Sequence, residues 1–220
     1  PAWTLVEGDI HATEPLNTKS VPQPADPTLF YRVKKYPAPN VVLITEDFED
    51  DDGGFTAVNK STGTTWSWGD PDSGSAGIPN PGGFVDTGNG GAGKCWGTNI
   101  GDPGYYLSNT VACLRSPVID LSDVTTPATL SFAQAIDFDA GHTVVVNIID
   151  DLTDDVIEPA IHTSTDTDIT QAYWTTVGGI GISGDALGQS VRIEWRFTGP
   201  VGSDYMGAYI DDILVTKPGS

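Results

Sequence analysis

The stretch SVRIEWRF, residues 190–197, puts Val191, Ile193, Trp195 and Phe197 on one parity and Arg192, Glu194 and Arg196 on the other. An extended chain turns successive side chains to opposite faces, so a period of two gives one buried face and one wet face. Apolar, β-branched runs recur at VVLITEDF (41–48), TTWSW (64–68), ACLRSPVIDL (112–121), ATLSFAQAI (128–136), HTVVVNII (142–149), YWTTVGGIGI (173–182) and AYIDDILV (208–215). Gly, Pro, Asn and Asp clusters separate them, and helical periodicity is almost absent. The expected fold is all-β: a two-sheet antiparallel β-sandwich of jelly-roll type. With 38% hydrophobic residues and six tryptophans, the chain has enough apolar surface to bury a core.

Two segments break the rhythm. Residues 69–94 form one long loop dense in Gly and Pro, and such loops are often functional. Residues 1–39 contain the strand-like TLFYRVKKY and lead into the linker PAPN. They read as a small strand-rich N-terminal appendage, the tail of a preceding β domain, with the main domain over 40–220. The opening PAWTLVEGD carries no signal peptide and reads as a mature or excised segment.

Ten basic residues face thirty acidic ones, a formal net charge of -20. No Lys/Arg surplus exists to displace phosphate counterions, which argues against a nucleic-acid or anionic-membrane partner. No apolar run approaches the roughly 20 residues of a membrane span. The even pair Cys95 and Cys113 suggests a disulfide in an oxidising, extracellular setting; two buried thiols are the alternative, since CxxC metal spacing is absent.

Catalytic patterns find little support. There is no HExxH, and His11, His142 and His162 are scattered. No GxSxG elbow occurs. FVDTG (84–88) holds one Asp-Thr-Gly triplet, but shared-proton carboxylate chemistry needs two, so a turn is the better reading. Glu46 and Glu49 lie three apart, on opposite faces of a strand, and make a poor pair for glycoside cleavage. The chain is read as a non-enzyme.

EDFEDDDGGF (46–55) crowds six carboxylates into seven positions, yet it lacks the ligand spacing of an EF-type loop. A calcium site would have to be assembled from separate strands. Asp211, in AYIDDILV, shares a face with Ile213 and Val215 if alternation holds. An inward aspartate carries a large desolvation cost unless it is paired or metal-bound.

EDFEDDDGGFT, WSWGDP, CWGTNIGDPGYY, LRSPVIDLS, DFDAGHTVVVNIID, YWTTV, VRIEWRF and AYIDDILV follow in an order and spacing that resembles the MAM-like jelly-roll modules of bacterial secreted proteins. These include accessory domains of immune-inhibitor-A-type metallopeptidases. The resemblance covers about residues 43–216. Jelly-roll carbohydrate-binding modules are similar in having an early Phe-Glu and a late Ile-Asp. The resemblance implies a structural Ca2+ held by Glu49 and Asp211, with Asp51 or Asp139 completing the shell. The Cys95–Cys113 pair and the first 39 residues depart from the group.

A sugar is held by flat rings, together with a few polar groups. Trp66 and Trp68 share a strand face and could be core or platform. Tyr105, Tyr106 and Tyr205, set among Gly, Asp and Ser, are the better candidates for exposure. The expected function is a secreted or cell-surface binding module that attaches an enzyme or adhesin to a polysaccharide or cell-surface glycan. Neighbouring domains of the same polypeptide are its other expected partners. The alternative is a structural spacer or peptidase accessory domain with no sugar ligand.

Overall fold

The computed structural model describes residues 38–71, 85, 87–90, 93–98, 100, 106–137, 140–165, 174–200 and 206–219. The appendage expected over 1–39 therefore lies, apart from its last two residues, outside the described residues.

Among the described residues the regular structure is β, with one short 3-10 turn at Gly184–Ala186. The strands are β1 (Val41–Glu46), β2 (Thr56–Asn59), β3 (Ser67–Gly69), β4 (Cys95–Gly97), β5 (Thr110–Arg115), β6 (Ile119–Asp120), β7 (Ala128–Asp137), β8 (Thr143–Asp150), β9 (Val156–Thr165), β10 (Thr175–Ile182), β11 (Ser190–Gly199) and β12 (Gly207–Lys217). They form two six-stranded sheets. One runs β10-β7-β12-β4-β3, with β1 also paired to β12; the other runs β2-β5-β11-β8-β9, with β6 also paired to β11. Every pairing described is antiparallel. The two-sheet antiparallel sandwich expected from the alternation is the fold observed.

The run ACLRSPVIDL divides into β5 and β6 at Ser116-Pro117, where proline has no N–H for the ladder. Ser116 bridges the break: its N–H donates to the Ile193 carbonyl and its Oγ accepts the Ile193 N–H, both at 2.9 Å. The short strands β2 and β4 and the ten-residue β9 were not expected. β9 carries Pro159, which a strand tolerates at a sheet edge, and β9 is an edge strand.

Trp195, Phe132, Leu114, Ile193 and Ile210 pack between the sheets. Val191, Ile193, Trp195 and Phe197 all belong to this core, as their parity requires. A smaller cluster covers part of the outer face of the first sheet, where Val85, Cys95, Ile100, Met206 and Tyr209 pack together with Trp174 against them. Val85 of the long loop thus packs on that sheet.

Three expectations are corrected. Cys95 and Cys113 are free, buried thiols. Cys95 belongs to the outer cluster of the first sheet, whereas Cys113, between the core residues Ala112 and Leu114, faces outward from the second. A disulfide needs Cα atoms about 4.4–6.8 Å apart, and sheets alone stack about 10 Å apart. Asp211 does not share a face with Ile213 and Val215. A bulge falls between Asp211, paired with Ala133, and Leu214, paired with Ser131, and Asp212 takes φ 46° there. One extra residue shifts the parity, so Ala208, Ile210, Ile213 and Val215 are all core while Asp211 faces out. Finally, Trp66 and Tyr106 are buried, as set out below.

Candidate functional site

The acidic stretch is organised around Phe48. Phe48 is fully buried, packs edge-on against Phe55 at 5.1 Å between centroids, and adopts φ 57°. Neighbouring carboxylates cap the turns around it: Glu46 Oε1 accepts the Phe48 N–H at 2.9 Å, Asp51 Oδ1 that of Gly53 at 2.8 Å and Asp52 Oδ1 that of Gly54 at 2.9 Å. The run avoids much of its self-repulsion by pointing carboxylates at backbone N–H groups.

Two cross-strand tryptophans then fix the loop. Trp68 and Trp96 are register partners on β3 and β4. The Trp68 indole donates to the Phe48 carbonyl at 3.0 Å, and the Trp96 indole to the Asp52 carbonyl at 3.2 Å. Lys94 Nζ lies 4.4 Å from the centroid of the Trp68 ring and donates to the Glu49 carbonyl at 3.3 Å. These bonds direct Glu49 toward the segment 87–94.

That segment holds a turn closed by Gly88 N–H donating to the Gly93 carbonyl at 3.1 Å; Asp86 of the FVDTG triplet lies outside the described residues. Trp174 donates to the Thr87 carbonyl at 3.0 Å. At the far side the Asn89 N–H donates to Asp211 Oδ2 at 2.7 Å, and Asn89 Nδ2 to Asp212 Oδ2 at 2.5 Å. The Glu49 carboxylate lies so close to Gly93 that a Cβ there would stand 1.7 Å from Oε2. A Cβ on Gly88 would stand 3.0 Å from Asp211 Oδ2. Two glycines of one turn therefore cradle the two carboxylates, and the sequence reading assigned neither glycine a role. Their signal was the density of Gly around Asn89.

Asp211 is only 1% exposed. Burial pushes its carboxyl up to about 7; the Asn89 and Asp212 N–H groups oppose this, and the charges of Asp212 and Glu49 add to it. Burial likewise raises the Cys95 thiol, with further contributions from Asp211, Asp70 and Glu49. Glu49 and Asp211 thus each lie against a different glycine of the same turn, Gly93 and Gly88. Asp51 instead spends Oδ1 on its own turn, and Asp139 lies outside the described residues.

The donor set suits an oxygen-seeking cation. It offers two carboxylates, one of them buried, beside one turn. Among the described residues no three Asp, Glu, His or Cys side chains converge on one point, so backbone carbonyls and water would supply the balance of a six- to eight-oxygen shell.

The ring candidates fare differently. Trp66 is 2% exposed and its indole donates to the Ala112 carbonyl at 3.1 Å. Tyr106 is 1% exposed, its hydroxyl bonds His142 Nδ1, and its ring meets Phe197 edge-on at 5.0 Å. Neither leaves a ring face open to a sugar. The Gly-rich flanks of Tyr106 suggested exposure, but the ring plugs the end of the core. Tyr105 and Tyr205 lie outside the described residues. Beside the bulge, an open cleft of ≈ 390 Å³ is lined by Thr45, Glu46, Asp47, Ser131, Asp212 and Leu214, with Ile213 behind them.

No family model matches the chain, and no curated protein matches it. Solved structures do. The K1 cleaved adhesin domain of Lys-gingipain from Porphyromonas gingivalis W83 is similar with a TM-score of 0.52 at 14% identity, over 80% of this chain and 98% of that one. The K3 cleaved adhesin domain of the same protein gives 0.51 at 17% identity, over 81% and 99%. A structure described under the promiscuous specificity of carbohydrate-binding modules from the β-sandwich superfamily gives 0.50 at 12% identity, over 78% of this chain and 61% of that one. At these identities the likeness is one of fold: this chain shares the β-sandwich of adhesin domains and carbohydrate-binding modules.

Proposed function

We propose that this chain is a non-catalytic binding module of MAM-like type, secreted or displayed at the cell surface, which holds a structural calcium and attaches a larger protein to a glycan. The observation that carries the proposal is the convergence of Glu49 and Asp211 on the turn 87–94. It occurs in a sandwich whose fold is shared with adhesin domains and carbohydrate-binding modules. In this reading the cation takes the two carboxylates and carbonyls of the turn, and it relieves the burial of Asp211. It ties the acidic loop, the long loop and β12 into one unit.

A ligand held only by the folded chain raises stability by RT ln(1 + [L]/Kd), about 2.7 kcal/mol at a hundredfold excess over Kd. Melting in calcium against chelator, with elemental analysis of the purified protein, tests the metal. A glycan array and affinity gels test the attachment. If the calcium response is present and the glycan tests stay blank, the chain is a structural spacer. If calcium shifts nothing and no metal is found, the metal reading falls.

A further inference from the structure

Three of the chain's four arginines stand on one face. Arg192 and Arg196 lie on the outward parity of β11, and Arg115 on that of the neighbouring β5, where it pairs with Glu194. Between them Glu194 is wholly buried. Its Oε2 accepts Arg115 Nε at 3.0 Å, and its Oε1 accepts Arg196 Nε at 3.1 Å and Nη2 at 2.7 Å. Arg115 also pairs with Asp154 at 2.7 Å. Arg192 gives one hydrogen bond, from Nη1 to the Ser116 carbonyl at 2.8 Å.

A guanidinium has five donors, so Arg192 and Arg196 each keep some uncommitted. The Arg196 side chain is 37% exposed. A carboxylate buried beneath two arginines holds their planes, as a supporting group does beneath a binding residue. Fixed, partly exposed guanidinium forks suit planar oxyanions. The outward positions of β5, β8 and β11 hold no aromatic residue. Recognition on this face would therefore use charge and hydrogen bonds and not ring stacking.

We infer that the outer face of the second sheet, around Arg192 and Arg196, binds an oxyanion-bearing polysaccharide. This rests on the glycan-attachment reading and names its ligand class and site. Arg192 and Arg196 are four residues apart on one strand, roughly 13 Å, so a polymer charged at intervals can engage both while a single sugar acid cannot.

Retardation in affinity gels of constant ionic strength provides the test, with hyaluronan as the uronate probe, dextran sulfate as the sulfate probe, and xylan and a neutral β-glucan as uncharged probes. Hyaluronan, dextran sulfate or both should retard the protein, which identifies the oxyanion, and the effect should weaken with salt. Arg192→Gln leaves the Glu194 network intact and should lower affinity about tenfold, the equivalent of one charge-assisted contact. Arg196→Lys keeps charge but loses the fork and should also weaken binding, with folding checked by melting. Retardation by neutral glycans alone, for which the acidic cleft would be the natural site, overturns this inference and leaves glycan attachment standing. Binding to charged polymers that is indifferent to both variants also overturns it. Blank gels throughout overturn both.

Discussion

The Asn89 backbone N–H donates to Asp211 Oδ2 at 2.7 Å, joining positions 122 apart. It fastens the long Gly-rich loop to the bulge of β12, where an aspartate faces out of the sheet and is still buried. The loop's Gly88 and Gly93 lie against the carboxylates of Asp211 and Glu49, so the acidic turn, the glycine turn and the bulge each depend on the others.

The first consequence is a pH dependence. Burial raises the Asp211 carboxyl to about 7, above the ~3.9 of an unfolded aspartate. The folded chain therefore holds a proton that the unfolded chain has released between those values. This contribution is complete below about pH 4 and is lost as pH rises through about 7. In chelator, the melting temperature of the wild type relative to Asp211→Asn should fall between pH 5 and pH 8. A constant difference would show that Asp211 titrates normally. The stabilisation by calcium should be greater at pH 8 than at pH 5.

Gly93→Ala and Gly90→Ala separate backbone strain from the carboxylate contact. Both glycines have positive φ, 97° and 93°, so either alanine costs about 1–2 kcal/mol. Around Gly90 a Cβ meets nothing within 4 Å, whereas at Gly93 it collides with Glu49. Gly93→Ala should lower the melting temperature more and abolish the calcium response, which Gly90→Ala should keep. Equal effects from the two would show that Glu49 does not lean on the turn.

Both cysteines should titrate as free thiols. Burial, aided by the Glu194 charge, pushes Cys113 up to about 11, and Cys95 is raised as well. A thiol reagent at pH 8 should label neither in the native protein and both in denaturant. Reductant should leave the melting temperature unchanged. Protection that survives denaturation but yields to reductant would restore the disulfide.

How much of this was legible depends on the range of each interaction. The alternation in SVRIEWRF identified the core face of β11 correctly, because parity is a local property. It also placed Glu194 on the wet face, and by parity that is right. Glu194 is nevertheless buried, because Arg115 reaches it from 79 positions away. Parity failed at Asp211 because Asp212 adds one residue and takes a left-handed conformation that aspartate tolerates better than most. The expectation that Glu49 and Asp211 share a site came through the resemblance, since nothing in either local stretch points to the other. From sequence, Trp68 reads as core or platform, and Trp96 belongs to the motif CWGTNIGDPGYY. Their further role, donating to the acidic loop, depends on pairing between β3 and β4.

Trp66 and Tyr106 should act through stability and not through ligand contact. Trp66→Ala removes a buried indole and its bond to Ala112, and should cost about 3–5 kcal/mol. Tyr106→Phe keeps the ring against Phe197 but leaves His142 Nδ1 without the tyrosine hydroxyl, and should cost about 1–3 kcal/mol. Chemical denaturation measures both. Any glycan that the folded protein binds should be bound equally well by Tyr106→Phe wherever that variant remains folded. A selective loss of binding at unchanged stability would mean that the end of the core opens to admit the ligand against Tyr106.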